Sequence, residues 1–188
     1  IYNIIGEDAF SILNIIVYFL FGWPAYIFNN NTGGRVSFDL KTKIDKNKFE
    51  DHFHSNSEVM SKSLGWKVEM STIGCISTLY GLYYFLGWDS LFWYFGPYIV
   101  VNSWLVLYTW LQHTHPDVPH YGKDTFTFLR GAISTIDRPY PYLIDHLHHR
   151  IGTTHVAHHI KYSVPHYRAE KFTQEIKEVL GKYYNYDP

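Results

Sequence analysis

STIGCISTLYGLYYFLGWDSLFWYFGPYIVVNSWLVLYTWL, residues 71–111, is the stretch that decides the fold. It holds one charge, Asp89, beside Gly87 and Trp88. At about 1.5 Å of rise per residue, some forty apolar residues make two helices, each able to cross about 30 Å of hydrocarbon. The Gly-Trp-Asp-Ser sequence at residues 87–90 supplies the turn between them. Trp88, Trp93, Trp104 and Trp110 suit interfacial belts near the two ends. Two helices apolar all round are more than a 188-residue soluble core can cover.

Upstream, residues 11–28 (SILNIIVYFLFGWPAYIF) carry no charge and are at the edge of spanning length. Gly22 and Pro24 interrupt the last third, which predicts a kinked or re-entrant segment over residues 10–28. NNNTGG (residues 29–34) reads as a turn. Residues 35–67 are polar and mixed in charge. Downstream of residue 111 no apolar run is long enough to cross, so residues 112–188 stay on one side of the membrane. In that region residues 169–180 predict an amphipathic helix with Phe172, Ile176, Val179 and Leu180 on one stripe. The net charge of -1 points to no nucleic-acid partner. Cys75, the single cysteine, lies in an apolar tract and reads as an inert membrane or core thiol. The sequence begins at Ile1 without Met and reads as a fragment of a longer protein.

Chemistry concentrates in the histidines. Of twelve, most lie between His113 and His166. His155, His158 and His159 stand at i, i+3 and i+4, on one face of a helix. A second group, His113-Thr114-His115, sits where the last apolar helix ends. Neutral imidazole is the commonest metal ligand and suits Zn, Cu, Fe and Ni. There is no cysteine nearby to select zinc. The neighbouring acids Asp117, Asp124, Asp137 and Asp145 do not form the Glu-x-x-His pattern of a carboxylate-bridged bundle. A His-x-x-His-His triplet beside membrane helices narrows the chemistry to an apolar substrate arriving from the lipid, and the histidine count favours two metals and oxygen activation. A structural zinc site in a non-catalytic membrane protein is the competing reading.

These motifs are similar to those of a known family. LQHTHPDVPHY (residues 111–121), LRGAISTIDR (129–138), HHRIGTTHVAHH (148–159) and PHYRAE (165–170) resemble the C-terminal half of membrane fatty acid desaturases of the methyl-end Δ12/Δ15 branch. GWPAYIFNNNTGGR (22–35) and GWKVEMSTIG (65–74) also look like that branch. The resemblance implies an all-α integral membrane protein: a transmembrane hairpin at residues 71–111, an interfacial or re-entrant segment at 10–28, and a cytosolic His-rich helical cap at 112–188. Residues 1–188 are then the C-terminal portion of one desaturase domain. The family's second and third histidine boxes both face the cytosol, so an even number of crossings separates them.

By the same resemblance His155, His158 and His159 form the third box, His113 is an additional iron ligand, and His115 is a candidate ligand. His149 and His166 orient ligands or water. His120 and His146 are ordinary loop histidines, and His52 and His54 belong to a polar cytosolic loop. The first two boxes are not in the chain, so the fragment alone is expected to be inactive. The implied cofactors are two non-haem iron ions and O2. Electrons come from NADH through cytochrome b5 and its reductase at the endoplasmic reticulum, or from ferredoxin in a plastid. The implied substrate is a fatty acyl lipid, and the spacing from His149 to His155 with Val156-Ala157 favours Δ12 action on oleoyl chains. A Δ15 (omega-3) desaturase, a hydroxylase or an epoxygenase is the alternative.

Overall fold

The computed structural model describes residues 6–34, 36–39, 42–45, 48–122 and 124–188. Arg35, the end of the 22–35 motif, lies outside them. The described residues contain helices and isolated bridges and no β-strand. The chain divides into two compact units, Ile1–Val106 and Leu107–Pro188.

The first unit opens with α1, Glu7–Asn29. Its 23 residues give about 34 Å of length, enough for a bilayer. Glu7 and Asp8 place negative charge in the first turn, where the helix dipole favours it. Asn30 ends the helix in the left-handed region (φ 44), a place where Asn is tolerated after Gly. Its N–H donates to Tyr26 at 2.7 Å, and its side-chain amide donates to Gly34 at 3.2 Å. The 29–34 turn therefore forms as expected. The expected break does not: α1 runs through Gly22 and Pro24 to Asn29 as one helix, not a re-entrant loop. Pro24 removes one N–H and its ring crowds the carbonyl four residues back, yet the helix continues on both sides of it, and Gly22 supplies a close approach. A Cβ at Gly22 would lie 3.3 Å from Val106 Cγ2, and Ser103 Oγ reaches the Phe19 carbonyl at 3.4 Å.

The polar loop that follows is held by Glu50, which accepts from Ser57 Oγ at 2.8 Å and the Glu58 amide at 2.6 Å. His52 donates its backbone N–H to Ile27 and packs its ring on Tyr26. Then come α2, Gly65–Leu86, and α3, Gly96–His113, which is preceded by a π-helical turn at Leu91–Phe95. Gly87 stops α2 at φ 54. Leu79 and Tyr83 of α2 line one apolar cavity with Leu91, Tyr94 and Phe95, so the chain doubles back at residues 87–90.

Two helices are long and apolar enough to cross a membrane, α1 and Leu91–His113. This redistributes the sequence expectation, which placed both crossings within residues 71–111. α2 is equally long, but Ser71, Thr72, Ser77 and Thr78 dilute its apolarity. Cys75 is free and exposed on α2, so it is not a core thiol.

The second unit holds the end of α3, then α4 (Phe128–Ala132), α5 (Tyr142–Leu147), α6 (His155–Ile160) and α7 (His166–Leu180). α6 packs against α4 and α7. The core is small: Val118, Ala132, Ile136, Val156, Ala157 and Ile176 are buried with Gln112, Thr135, Asp137 and Thr173. On α7 the buried stripe is Thr173 and Ile176, flanked by half-buried Phe172 and Leu180. Val179, expected on that stripe, is 86% exposed. At 100° per residue Thr173 and Val179 lie 60° to opposite sides of Ile176, and α7 turns the Thr173 side inward.

Candidate metal centre

Helix ends leave backbone groups without intrahelical partners, and these leftovers build the site. α3 ends with the carbonyls of Leu111 and Gln112 free. α6 begins with the Val156 N–H free. One tetrapeptide, residues 135–138, satisfies both ends. Gln112 accepts from the Ile136 amide at 3.0 Å and from Thr135 Oγ1 at 2.8 Å, and the Leu111 carbonyl accepts from Arg138 Nη1. Val156 donates to Asp137 Oδ1 at 2.8 Å. Thr154, the residue before α6, spends its hydroxyl on the Arg150 carbonyl instead of capping the helix. Asp137 thus supplies the N-terminal cap from a distant part of the chain. Each clamped group is next door to a histidine, Gln112 to His113 and Val156 to His155.

The result is a convergence of three imidazoles. His155 Nε2 lies 3.2 Å from Nε2 of His113 and 3.2 Å from Nε2 of His159. One ligand atom from each of the three falls within 4.8 Å of the others. A ring nitrogen offers one hydrogen or one lone pair, so His155 Nε2 can satisfy one of its two contacts as a hydrogen bond, not both. Three lone pairs around a cation satisfy all of them. Metal–nitrogen bonds of about 2.1 Å place adjacent ligand nitrogens about 3.0–3.4 Å apart, which is the spacing of His155 Nε2 to each of the other two.

The electrostatics agree. Burial, reinforced by the neighbouring histidines, pushes the His155 imidazole down to about 3. Burial and then His113 push His159 down to about 4. Both rings are neutral at ordinary pH, the form that ligates metal. Beneath them Asp137 is fully buried. Burial pushes its carboxyl up, while the Tyr184 hydroxyl and the Val156 amide favour the ionised form. The residues present therefore fit a transition-metal ion of the imidazole-binding class.

The other candidates sit elsewhere. His158 is exposed, with its ring centre 5.9 Å from that of His155, so the 155-158-159 triplet does not converge on one point as its spacing suggested. His115 Nδ1 accepts the Asp117 amide at 3.2 Å, and its Nε2 lies 4.0 Å from Asp187. It is not in the converging group. His149, in the left-handed region at φ 55, packs on His166 with ring centres 4.5 Å apart. His148 bonds the Tyr108 hydroxyl through Nδ1. His146 lies on α5, stacked on Tyr142, not in a loop. Thr135, Asp137, Arg138 and Tyr184 have positioning roles that sequence reasoning did not assign. The only local hint was an acid–base pair, Asp137-Arg138, in a histidine-rich stretch.

Comparison with known proteins gives a consistent picture. The profile of a family described as "Fatty acid desaturase" matches residues 18–187. A "Delta(12) fatty acid desaturase" of Mortierella alpina is 39% identical over 178 residues, covering 93% of this chain and 42% of the relative. An "Omega-6 fatty acid desaturase, endoplasmic reticulum" of Brassica juncea is 37% identical, covering 92% of this chain and 44% of the relative. An "sn-1 acyl-lipid omega-3 desaturase (ferredoxin)" of Nostoc sp. (strain 36) is 42% identical, covering 89% and 43%. The chain spans less than half the length of these relatives. No solved structure matches it.

Proposed function

The chain belongs to the fatty acid desaturase family, and from that premise we propose that residues 1–188 are the C-terminal portion of a desaturase domain whose iron site is built on His113, His155 and His159. The observation that carries this reading is the convergence of the three Nε2 atoms at the end of a membrane-length helix. His158, turned outward on the same helix, is assigned to a second iron. His115 is left out of the set because its ring is engaged with Asp117 and Asp187. His149 and His166, packed on each other, orient ligands or water.

When bound, the iron pair supplies O2-dependent removal of two hydrogens from an unactivated methylene pair, with two electrons and two protons completing the reduction of O2 to water. The chain's own contribution is placement. Neutral His155 and His159 offer lone pairs without first losing a proton. The clamp at residues 135–138 fixes the distance between His113 and α6. Buried Val156 and Ala157 keep water from the inner side of the helix. Leu91–His113 crosses the bilayer and residues 112–188 form the cytosolic cap; pairing α2 with Leu91–His113 as a hairpin leaves α1, although long and apolar enough to cross, at the interface. The doubling back at residues 87–90 supports that arrangement.

The substrate is an oleoyl-type acyl lipid, desaturated at Δ12. The Mortierella and Brassica relatives support that choice, and the name of the latter supports an endoplasmic reticulum location; we assign the electrons there to NADH through cytochrome b5 and its reductase. The Nostoc relative favours the second reading, an omega-3 desaturase fed by ferredoxin.

The test is the fatty acid profile of yeast expressing the full-length polypeptide that carries this chain, with His159→Ala as control. Linoleate that appears with the wild type and vanishes with the variant supports the Δ12 reading. Conversion of fed linoleate to α-linolenate, with oleate untouched, moves it to omega-3. A hydroxylated product moves it to a hydroxylase. No new lipid, with protein and donors present, refutes it.

A further inference from the structure

We propose that residues 184–187 are a positioning strap for the histidine trio, acting through Asp137. This rests on the metal-binding reading above and adds a mechanism to it.

Asp137 has four polar groups, and all four are engaged. Its N–H donates to the Asn185 carbonyl at 3.1 Å, and its carbonyl accepts the Asp187 N–H at 3.0 Å. Carboxylate Oδ2 accepts the Tyr184 hydroxyl, and Oδ1 accepts the Val156 N–H at 2.8 Å. Three of these partners come from the strap, and at the start of α6 the His155 backbone N–H joins that of Val156 in favouring the ionised carboxylate. No salt bridge reaches Asp137 among the described residues, although it is fully buried. A buried carboxylate without a cation persists only when its lone pairs are filled by donors. Tyr184 is therefore part of the condition under which Asp137 can hold Val156.

The strap grips the same clamp at other points. Asn185 Nδ2 donates to the carbonyls of Ile133 at 2.8 Å and Thr135 at 3.0 Å. The Asp187 carboxylate accepts from Arg138 Nε at 2.7 Å, and the same guanidinium holds the Leu111 carbonyl. Lys177 of α7 lies over the rings of Tyr184 and Tyr186, at 5.0 and 4.9 Å from their centres. A segment docked only for stability could use any surface. This one spends its side-chain and backbone bonds on residues 133–138, the segment that joins the end of α3 to the start of α6. Loosening it leaves every histidine in place along the chain and changes the distance between His113 and His155.

The experiment is a Co2+ titration of the chain in detergent micelles, read by visible absorption, with thermal unfolding in parallel. Tyr184→Phe keeps the ring and removes one oxygen. We expect Co2+ affinity to fall by about tenfold, the size typical of groups that orient metal ligands, with a shift in the cobalt bands and a folded protein at the titration temperature. Asn185→Ala should act in the same direction, and it decides by the same criteria if Tyr184→Phe does not fold. Lower thermal stability with wild-type affinity and spectrum would show a strap that is only structural and overturn the proposal. His159→Ala separates the two levels. If it leaves Co2+ binding unchanged, the metal reading itself has failed. If it abolishes binding while the strap variants titrate as wild type, the metal reading stands and the strap proposal falls.

Discussion

Gly152→Ala is the sharpest test of the clamp, because the structure leaves no room for one methyl group. A Cβ at position 152 would lie 2.2 Å from Tyr140 Cε2, 2.5 Å from Tyr140 Cδ2 and 2.5 Å from the Arg138 carbonyl oxygen. Neither neighbour can yield freely. The Tyr140 hydroxyl accepts Gln112 Nε2 at 3.0 Å, and its ring meets Tyr108 edge-on with centres 5.3 Å apart. Arg138 donates its N–H to the Gly152 carbonyl at 2.8 Å, so pushing the two backbones apart breaks that bond. Ordinary carbon–carbon contact is about 3.5–4.0 Å, so relief needs a shift of more than about 1 Å. Overpacking of this kind costs about 1–3 kcal/mol, and the backbone clash puts Gly152→Ala at the upper end. For a chain of this size, about 3 kcal/mol is a fall in Tm of about 6–12 °C. The assay is thermal unfolding in detergent by circular dichroism, with Gly74→Ala as the matched control. Position 74 has nothing within 4 Å and lies inside α2, so alanine there should be neutral or stabilising by about 0.5–1 kcal/mol. A Gly152→Ala protein that melts with the wild type would refute the tight packing of residue 152 on the clamp.

Other substitutions probe separate links. On α7, Ile176→Ala should destabilise by about 2–4 kcal/mol, while Val179→Lys stays within about 0.5 kcal/mol, as chemical denaturation would report; the reverse order would contradict the observed stripe. In metal titrations His159→Ala and His155→Ala should lose the site and His115→Ala should keep it, and equal losses from all three would place His115 among the ligands. The His54 imidazole bonds the Asp51 carboxylate at 2.8 Å, which raises it above its ordinary value of 6.5. Its folded-state value is the higher one, so its stabilising contribution is complete below about 6.5 and is lost as pH rises through the folded value. An NMR titration should show the His54 midpoint moving down in Asp51→Asn, and an unchanged midpoint would remove the pair from the account.

Local spacing was enough for much of this protein. Long runs without charge can only be helices that keep their backbone bonds internal, so the all-helical reading followed from residues 11–28 and 71–111. Four residues of separation bring His155 and His159 to one face of a helix, and the structure puts their Nε2 atoms 3.2 Å apart. Gly22 and Pro24 misled as signs of a re-entrant break because the backbone bonds of the neighbouring turns carry α1 on through them to Asn29. Val179 misled because the inward face of α7 centres on the Thr173 side of Ile176, which apolar periodicity does not show.

Tertiary structure decided which third histidine completes the group. His158 was nearest in sequence and His115 was a further candidate beside His113, yet among the described residues only His113 converges with His155 and His159. That choice depends on hydrogen bonds between residues 19 to 49 positions apart, from Val156 to Asp137 and from Arg138 to Asp187. No periodicity encodes such pairs. They form because the ends of α3 and α6 leave backbone groups that burial forces to find partners, and residues 135–138 are the partners the fold brings within reach.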